Sequence, residues 1–130
     1  MKKTKTAILV LAIVILTGMT RLIAGAETNG VFEIPGNRVN VTFSVSGSTA
    51  QAGMTLTRVN GLTSSAWLRI QKLDNGNWTT IKWVYGTGYS LTTSVSVSSG
   101  SYRAKAMVYF YDNTGALVDT ITKYSAVINK

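Results

Sequence analysis

Along most of this chain apolar and polar residues alternate one for one, the period of a strand that buries a single face. In "RVNVTFSVSG", residues 38–47, Val39, Val41, Phe43 and Val45 face one way and Asn40, Thr42 and Ser44 the other. Further strands are expected at 54–59 (MTLTRV), 66–73 (AWLRIQKL), 78–85 (WTTIKWVY), 89–97 (YSLTTSVSV), 101–111 (SYRAKAMVYFY) and 116–128 (ALVDTITKYSAVI). Within 89–97 the inward set is Tyr89, Leu91, Val95 and Val97. Turn residues punctuate the gaps at 74–77 (DNGN), 98–100 (SSG) and 112–115 (DNTG). Seven regularly spaced strands with no helical period predict an antiparallel β-sandwich. The single proline, Pro35, precedes the first long strand and interrupts no ladder.

Strands 66–73 and 78–85 contain all three tryptophans, and their turn predicts how they pair. Asn75-Gly76 as a two-residue type I′ loop sets Asp74 opposite Asn77. The inward face then pairs Ile70 with Ile81, Leu68 with Trp83 and Ala66 with Tyr85. The outward face pairs Leu73 with Trp78, Gln71 with Thr80, Arg69 with Lys82 and Trp67 with Val84. A one-residue slip would invert one strand's faces. Trp83 is therefore assigned to the core, and Trp67 and Trp78 to the outside. In 101–111, Tyr102, Ala104, Ala106, Val108 and Phe110 alternate with Arg103, Lys105, Met107, Tyr109 and Tyr111.

"SGSYRAKA", residues 99–106, resembles the Gly-x-Tyr-x-Cys-x-Ala stretch that opens strand F of immunoglobulin domains, with Tyr102 as the corner tyrosine and Ala104 in place of the cysteine. The resemblance implies an Ig-like sandwich of about seven strands, without the disulfide and with no immune-type function. In such a fold strands C and F are neighbours. Their merged outer face would carry Trp67, Arg69, Arg103, Lys105, Tyr109 and Tyr111, with Lys82 and Trp78 beyond. The Ig resemblance also implies that Trp67 packs inward. The hairpin register opposes this and is preferred, because it satisfies Ala66, Leu68, Ile70, Ile81, Trp83 and Tyr85 together. Over roughly residues 66–128 the strand pattern is similar to that of small secreted proteins of Gram-positive bacteria with an uncharacterised Ig-like β domain. That similarity implies secretion and fold and supplies no site residues.

The first stretch stands apart from this pattern. Lys2, Lys3 and Lys5 precede an apolar run from Ala7 to Leu16, and Ala24-Gly25-Ala26 forms an A-x-A site before Glu27. These are the parts of a cleavable signal peptide over residues 1–26, leaving one domain at 27–130. A membrane span needs about 20 apolar residues, and this run is interrupted at Thr17, Gly18, Thr20 and Arg21. The formal charge of +8 falls on cleavage, since Lys2, Lys3, Lys5 and Arg21 leave: nine cations then face five carboxylates. That balance favours anionic polymers. With no arginine cluster or recognition helix, no nucleic-acid partner is expected, and no membrane partner for the mature form.

The chain has no His and no Cys, which removes imidazole bases, thiol nucleophiles, disulfides and the usual transition-metal sites. Its acids are Glu27, Glu33, Asp74, Asp112 and Asp119. Asp74 and Asp112 open Asn/Gly turns, where hydrogen bonding to the backbone is reason enough for them. None has a partner at the spacing of glycosidase acids or calcium ligands. The expectation is a protein without enzymatic activity, metal or cofactor. The aromatic-basic face has two readings. It is a ligand surface for sugars or peptides and for anionic groups, or a set of stems that pack on one another to cover the sheet. The function expected is a secreted binding module for cell-envelope polysaccharide, another anionic polymer or another surface protein. A diffusible effector such as a bacteriocin-like antagonist and a self-associating structural surface protein are the alternatives.

Overall fold

The computed structural model describes residues 34–130, so the signal peptide expected over 1–26 and the start of the domain at 27 lie outside the described residues. The described residues form eight strands and no helix: β1 (Arg38–Ser46), β2 (Thr49–Thr57), β3 (Thr63–Asp74), β4 (Asn77–Gly86), β5 (Ser90–Ser96), β6 (Ser101–Tyr111), β7 (Leu117–Tyr124) and β8 (Ile128–Asn129). All pairings are antiparallel. One sheet runs β1-β2-β5 and the other β4-β3-β6-β7, with β8 also on β6. Taking β1, β2, β3, β5, β6 and β7 as strands A, B, C, E, F and G gives the Ig winding, with β4 as an added edge beside strand C. β2 lies over β3, β1 over β6 and β7, and β5 against β3 and β4.

The core lies between the sheets and follows the alternation. Val39, Ala50, Ala52, Met54 and Leu56 from one sheet form a single buried cluster with Ala66, Leu68, Ile70, Ala104, Ala106, Val108, Phe110 and Ile121 from the other. β2 begins five residues before the expected strand at 54, because Ala50 and Ala52 carry its inward face and neither stands out as a strand former. Tyr102 is buried, and its hydroxyl donates to the Ser98 carbonyl at 2.9 Å. This is the corner that "SGSYRAKA" predicts. Tyr89, expected inward, lies just before β5 and is exposed, with the Arg58 guanidinium 4.2 Å from its ring centre.

The last expected strand is split in two. Between β7 and β8, Ser125 takes the Ala104 N–H on its hydroxyl at 2.8 Å and donates its own N–H to the Ala104 carbonyl at 2.9 Å. At the other end of the edge, Asp119 is wholly buried and ties Ile34 and Asn37, ahead of β1, to β7. Its Oδ2 accepts from Asn37 Nδ2 at 2.8 Å and from the Ile34 N–H at 3.3 Å, and its Oδ1 accepts from the Thr120 N–H at 2.9 Å.

The β3–β4 hairpin departs from its expected register halfway along. Asn75 and Gly76 have φ of 51° and 83°, the double positive φ of a type I′ turn. The pairs Asp74/Asn77, Leu73/Trp78 and Gln71/Thr80 stand as expected. A β-bulge then leaves Ile81 without an opposite number. Ile70 pairs with Lys82, Arg69 with Trp83, Leu68 with Val84, Trp67 with Tyr85 and Ala66 with Gly86. The faces of β4 beyond the bulge are therefore inverted relative to the expectation. Trp83 is not in the core: it lies on the outer face and is 56% exposed. Tyr85 joins it outside, Val84 turns inward onto the core, and Ile81 is exposed. Lys82 shares the side of Ile70 and leaves the outer face.

The packing between the sheets gives the reason. A Cβ on Gly86 would lie 2.6 Å from Leu91 Cδ2, so a larger residue in the inward position opposite Ala66 would have to displace the Leu91 side chain. The bulge brings the glycine there. A β-bulge adds one residue to one strand and reverses its face assignment beyond that point.

Candidate functional site

The outward face of the β4-β3-β6-β7 sheet collects most of the predicted site residues, in rows fixed by the strand register. The central row across the four strands is Trp83, Arg69, Lys105 and Tyr124. One neighbouring row is Tyr85, Trp67, Met107 and Thr122. The row on the other side is Thr80, Gln71 and Arg103, with Leu73 and Trp78 beyond it. At the usual strand spacing of about 4.8 Å, four strands put the ends of a row roughly 14 Å apart.

The aromatic residues form two groups. Trp67 contacts Trp83 at 5.1 Å between ring centres and 54° between planes, and Tyr85 at 5.0 Å and 58°. Such tilted contacts are favoured by the ring quadrupoles. On the far side, the Arg103 guanidinium lies 4.3 Å from the ring centre of Trp78 and 4.3 Å from that of Tyr124. Its Nε donates to Gln71 Oε1 at 2.8 Å, and Gln71 Nε2 donates in turn to Thr80 Oγ1 at 3.4 Å. Arg103 is thus held in one orientation by two rings and a hydrogen bond.

Between the two groups sit Arg69 and Lys105, opposite one another on adjacent strands. Arg69 lies 5.4 Å from the Trp67 ring centre, and its Nη1 meets the Met107 Sδ at 3.5 Å, a weak acceptor. Lys105 Nζ is 5.5 Å from the Tyr124 ring centre and makes no hydrogen bond among the described residues. Burial, and then the charges of Arg69 and Arg103, push the Lys105 ammonium down to about 8 from its ordinary 10.5.

The acids of the described residues lie elsewhere. Asp74 is at the hairpin tip and Asp119 is inside. Asp112 Oδ1 caps the β6–β7 turn, accepting from Thr114 Oγ1 at 2.6 Å, the Thr114 N–H at 2.8 Å and the Ala116 N–H at 3.0 Å. The Thr114 hydroxyl, then these backbone donors, hold that carboxyl below the usual range. Among the described residues no three acids gather where a metal ion could be held.

Trp67, Arg69, Trp78, Arg103 and Lys105 therefore share one patch. Tyr109 and Tyr111 are on the same face further along β6, where the Tyr111 hydroxyl lies 3.3 Å from Ser65 Oγ. Lys82 is not part of the patch. Trp83, Tyr85 and Tyr124 join it without having been expected, and Gln71, expected on the outward face, joins it as well. Gly86 was the signal for the first two, since a glycine in an inward position marks a close approach. For Tyr124, the Thr120-Thr122-Tyr124 alternation pointed outward, once β7 was paired with β6.

Neither known protein families nor curated proteins match this chain. The geometry of the patch thus has to carry the functional reading. On the other sheet, a shallow depression of about 320 Å³ opens over Gly53 between Thr42 and Thr92, and no charged side chain lines it.

Proposed function

We propose that this protein is a secreted, non-enzymatic binding module of the small Gram-positive kind, and that it takes cell-envelope polysaccharide or another anionic polymer on the outer face of the β4-β3-β6-β7 sheet. The observation that carries this reading is the central row. Arg69 and Lys105 stand side by side between aromatic residues, with no Asp or Glu of the described residues on their face. Like charges directly opposed on a sheet are destabilising, so an arriving anion relieves a repulsion already present. The flanking rings add contact area suited to the apolar faces of sugars.

Mutual packing of stems accounts for Arg103, which is stacked between two rings. It does not account for Lys105, whose half-buried ammonium has no acceptor among the described residues. The test is retention on isolated cell-wall material. The protein is expected to bind and to be released by salt. Trp67→Ala together with Lys105→Ala is expected to weaken retention by about tenfold or more. Equal retention of that double variant would overturn the reading.

A further inference from the structure

We infer that Arg69, Arg103 and Lys105 seat a phosphodiester group, with the rings on either side taking the sugar or polyol units that it joins. The ligand class is then a phosphate-linked glycan or polyol polymer. This rests on the binding-surface reading above and narrows it.

Three observations support the narrowing. First, the donors of Arg69 and Lys105 come from two adjacent strands and are not used up among the described residues. Arg69 Nη1 meets only a thioether at 3.5 Å, and Lys105 Nζ meets no acceptor among the described residues. A phosphodiester offers two non-bridging oxygens that can accept from a guanidinium and an ammonium on adjacent strands. Second, rings flank the cations on both sides of the row, Trp83 with Trp67 toward the β4 edge and Tyr124 toward the β7 edge. In a phosphodiester polymer the charge lies in the main chain, with a sugar or polyol before and after it. In a polycarboxylate the charge hangs from the side of a ring. Third, the rings are poorly arranged for nucleic-acid bases. Trp67 meets Trp83 at 54° and Tyr85 at 58°, and the Arg103 guanidinium lies 4.3 Å from the ring centres of both Trp78 and Tyr124. Base stacking needs an open, flat ring face.

The charged and titratable groups facing Lys105 are Arg69 on β3, Arg103 on β6 and Tyr124 on β7. A bound phosphate offsets the two guanidiniums and holds the proton on Lys105, so its titration moves upward and affinity falls above about pH 8.

The experiment compares binding of the protein to poly(glycerol phosphate), polygalacturonate, dextran, a single-stranded oligonucleotide and phosphatidylglycerol vesicles at one ionic strength. Inorganic phosphate serves as competitor, and the Lys105 side-chain NMR signal is titrated with and without it. Poly(glycerol phosphate) is expected to bind tightest and to be displaced by phosphate. Arg69→Gln and Lys105→Met, which keep the stems, are each expected to weaken it by roughly tenfold, and phosphate is expected to raise the Lys105 titration point. Equal or tighter binding of polygalacturonate, with no competition by phosphate, overturns the phosphodiester inference and leaves the anionic-polymer reading standing. Tightest binding to the oligonucleotide or the vesicles also overturns it. Failure to bind any polyanion overturns both.

Discussion

Lys105 is a charge that the fold tolerates at a cost. The folded chain releases its proton near pH 8, whereas an unperturbed lysine holds it to 10.5. Between those values the unfolded state binds more protons, so stability rises with pH across the window, and the full penalty applies below it. Lys105→Met removes the penalty and keeps the stem. The variant is expected to match or exceed the parent in urea midpoint at pH 7, with the gap closing as pH approaches 10.5. A variant less stable at pH 7 would mean that the ammonium is stabilised by something other than the groups around it. Asp119 makes the opposite case. Its carboxylate serves Asn37, Ile34 and Thr120 in a site closed to water. Asp119→Ala strands buried donors and is expected to cost about 1–3 kcal/mol, read as a lower denaturant midpoint at neutral pH.

At the scale of the strand, β6 was fully legible and β4 only half so. Alternation in β6 separates Ala104, Ala106, Val108 and Phe110 from Arg103, Lys105, Met107 and Tyr109, two sets whose chemistry leaves no choice of face. In β4 every position from Trp78 to Tyr85 is apolar, aromatic, Thr or Lys, so either register buries something apolar. Packing against Leu91 bears on the choice, and that is a property of the opposite sheet, which no local pattern contains. The same holds for the start of β2, where alanines carry the inward face. If close packing against Leu91 fixes the bulge, Gly86→Val is expected to cost about 1–3 kcal/mol by overpacking. Deleting Ile81 removes the extra residue and leaves Lys82, Trp83, Val84 and Tyr85 opposite Ile70, Arg69, Leu68 and Trp67, so Trp83 is expected to stay outward and polymer binding to persist. A folded deletion variant that no longer binds polymer would show that the extra residue itself is needed to keep Trp83 outward.

The whole molecule presents two unlike surfaces. The β1-β2-β5 sheet turns outward Asn40, Thr42, Ser44, Gln51, Thr55, Thr92 and Ser94 from the centre of its strands, none of them charged. The β4-β3-β6-β7 sheet concentrates Arg69, Arg103 and Lys105 among rings. Binding to a polyanion is therefore expected to depend on which face loses a charge. Arg69→Gln should weaken retention and reduce its sensitivity to salt, while Arg38→Gln, on the edge of the other sheet, should leave both as they were. The tryptophans carry a last consequence of the bulge. With Trp83 turned out beside Trp67, and Trp78 against Arg103, all three indoles of the chain stand on the candidate binding face and none lies in the core. The molecule thus has a built-in optical reporter. Its intrinsic fluorescence follows what touches that face, and a ligand that settles there should change the emission of a protein that stays folded throughout.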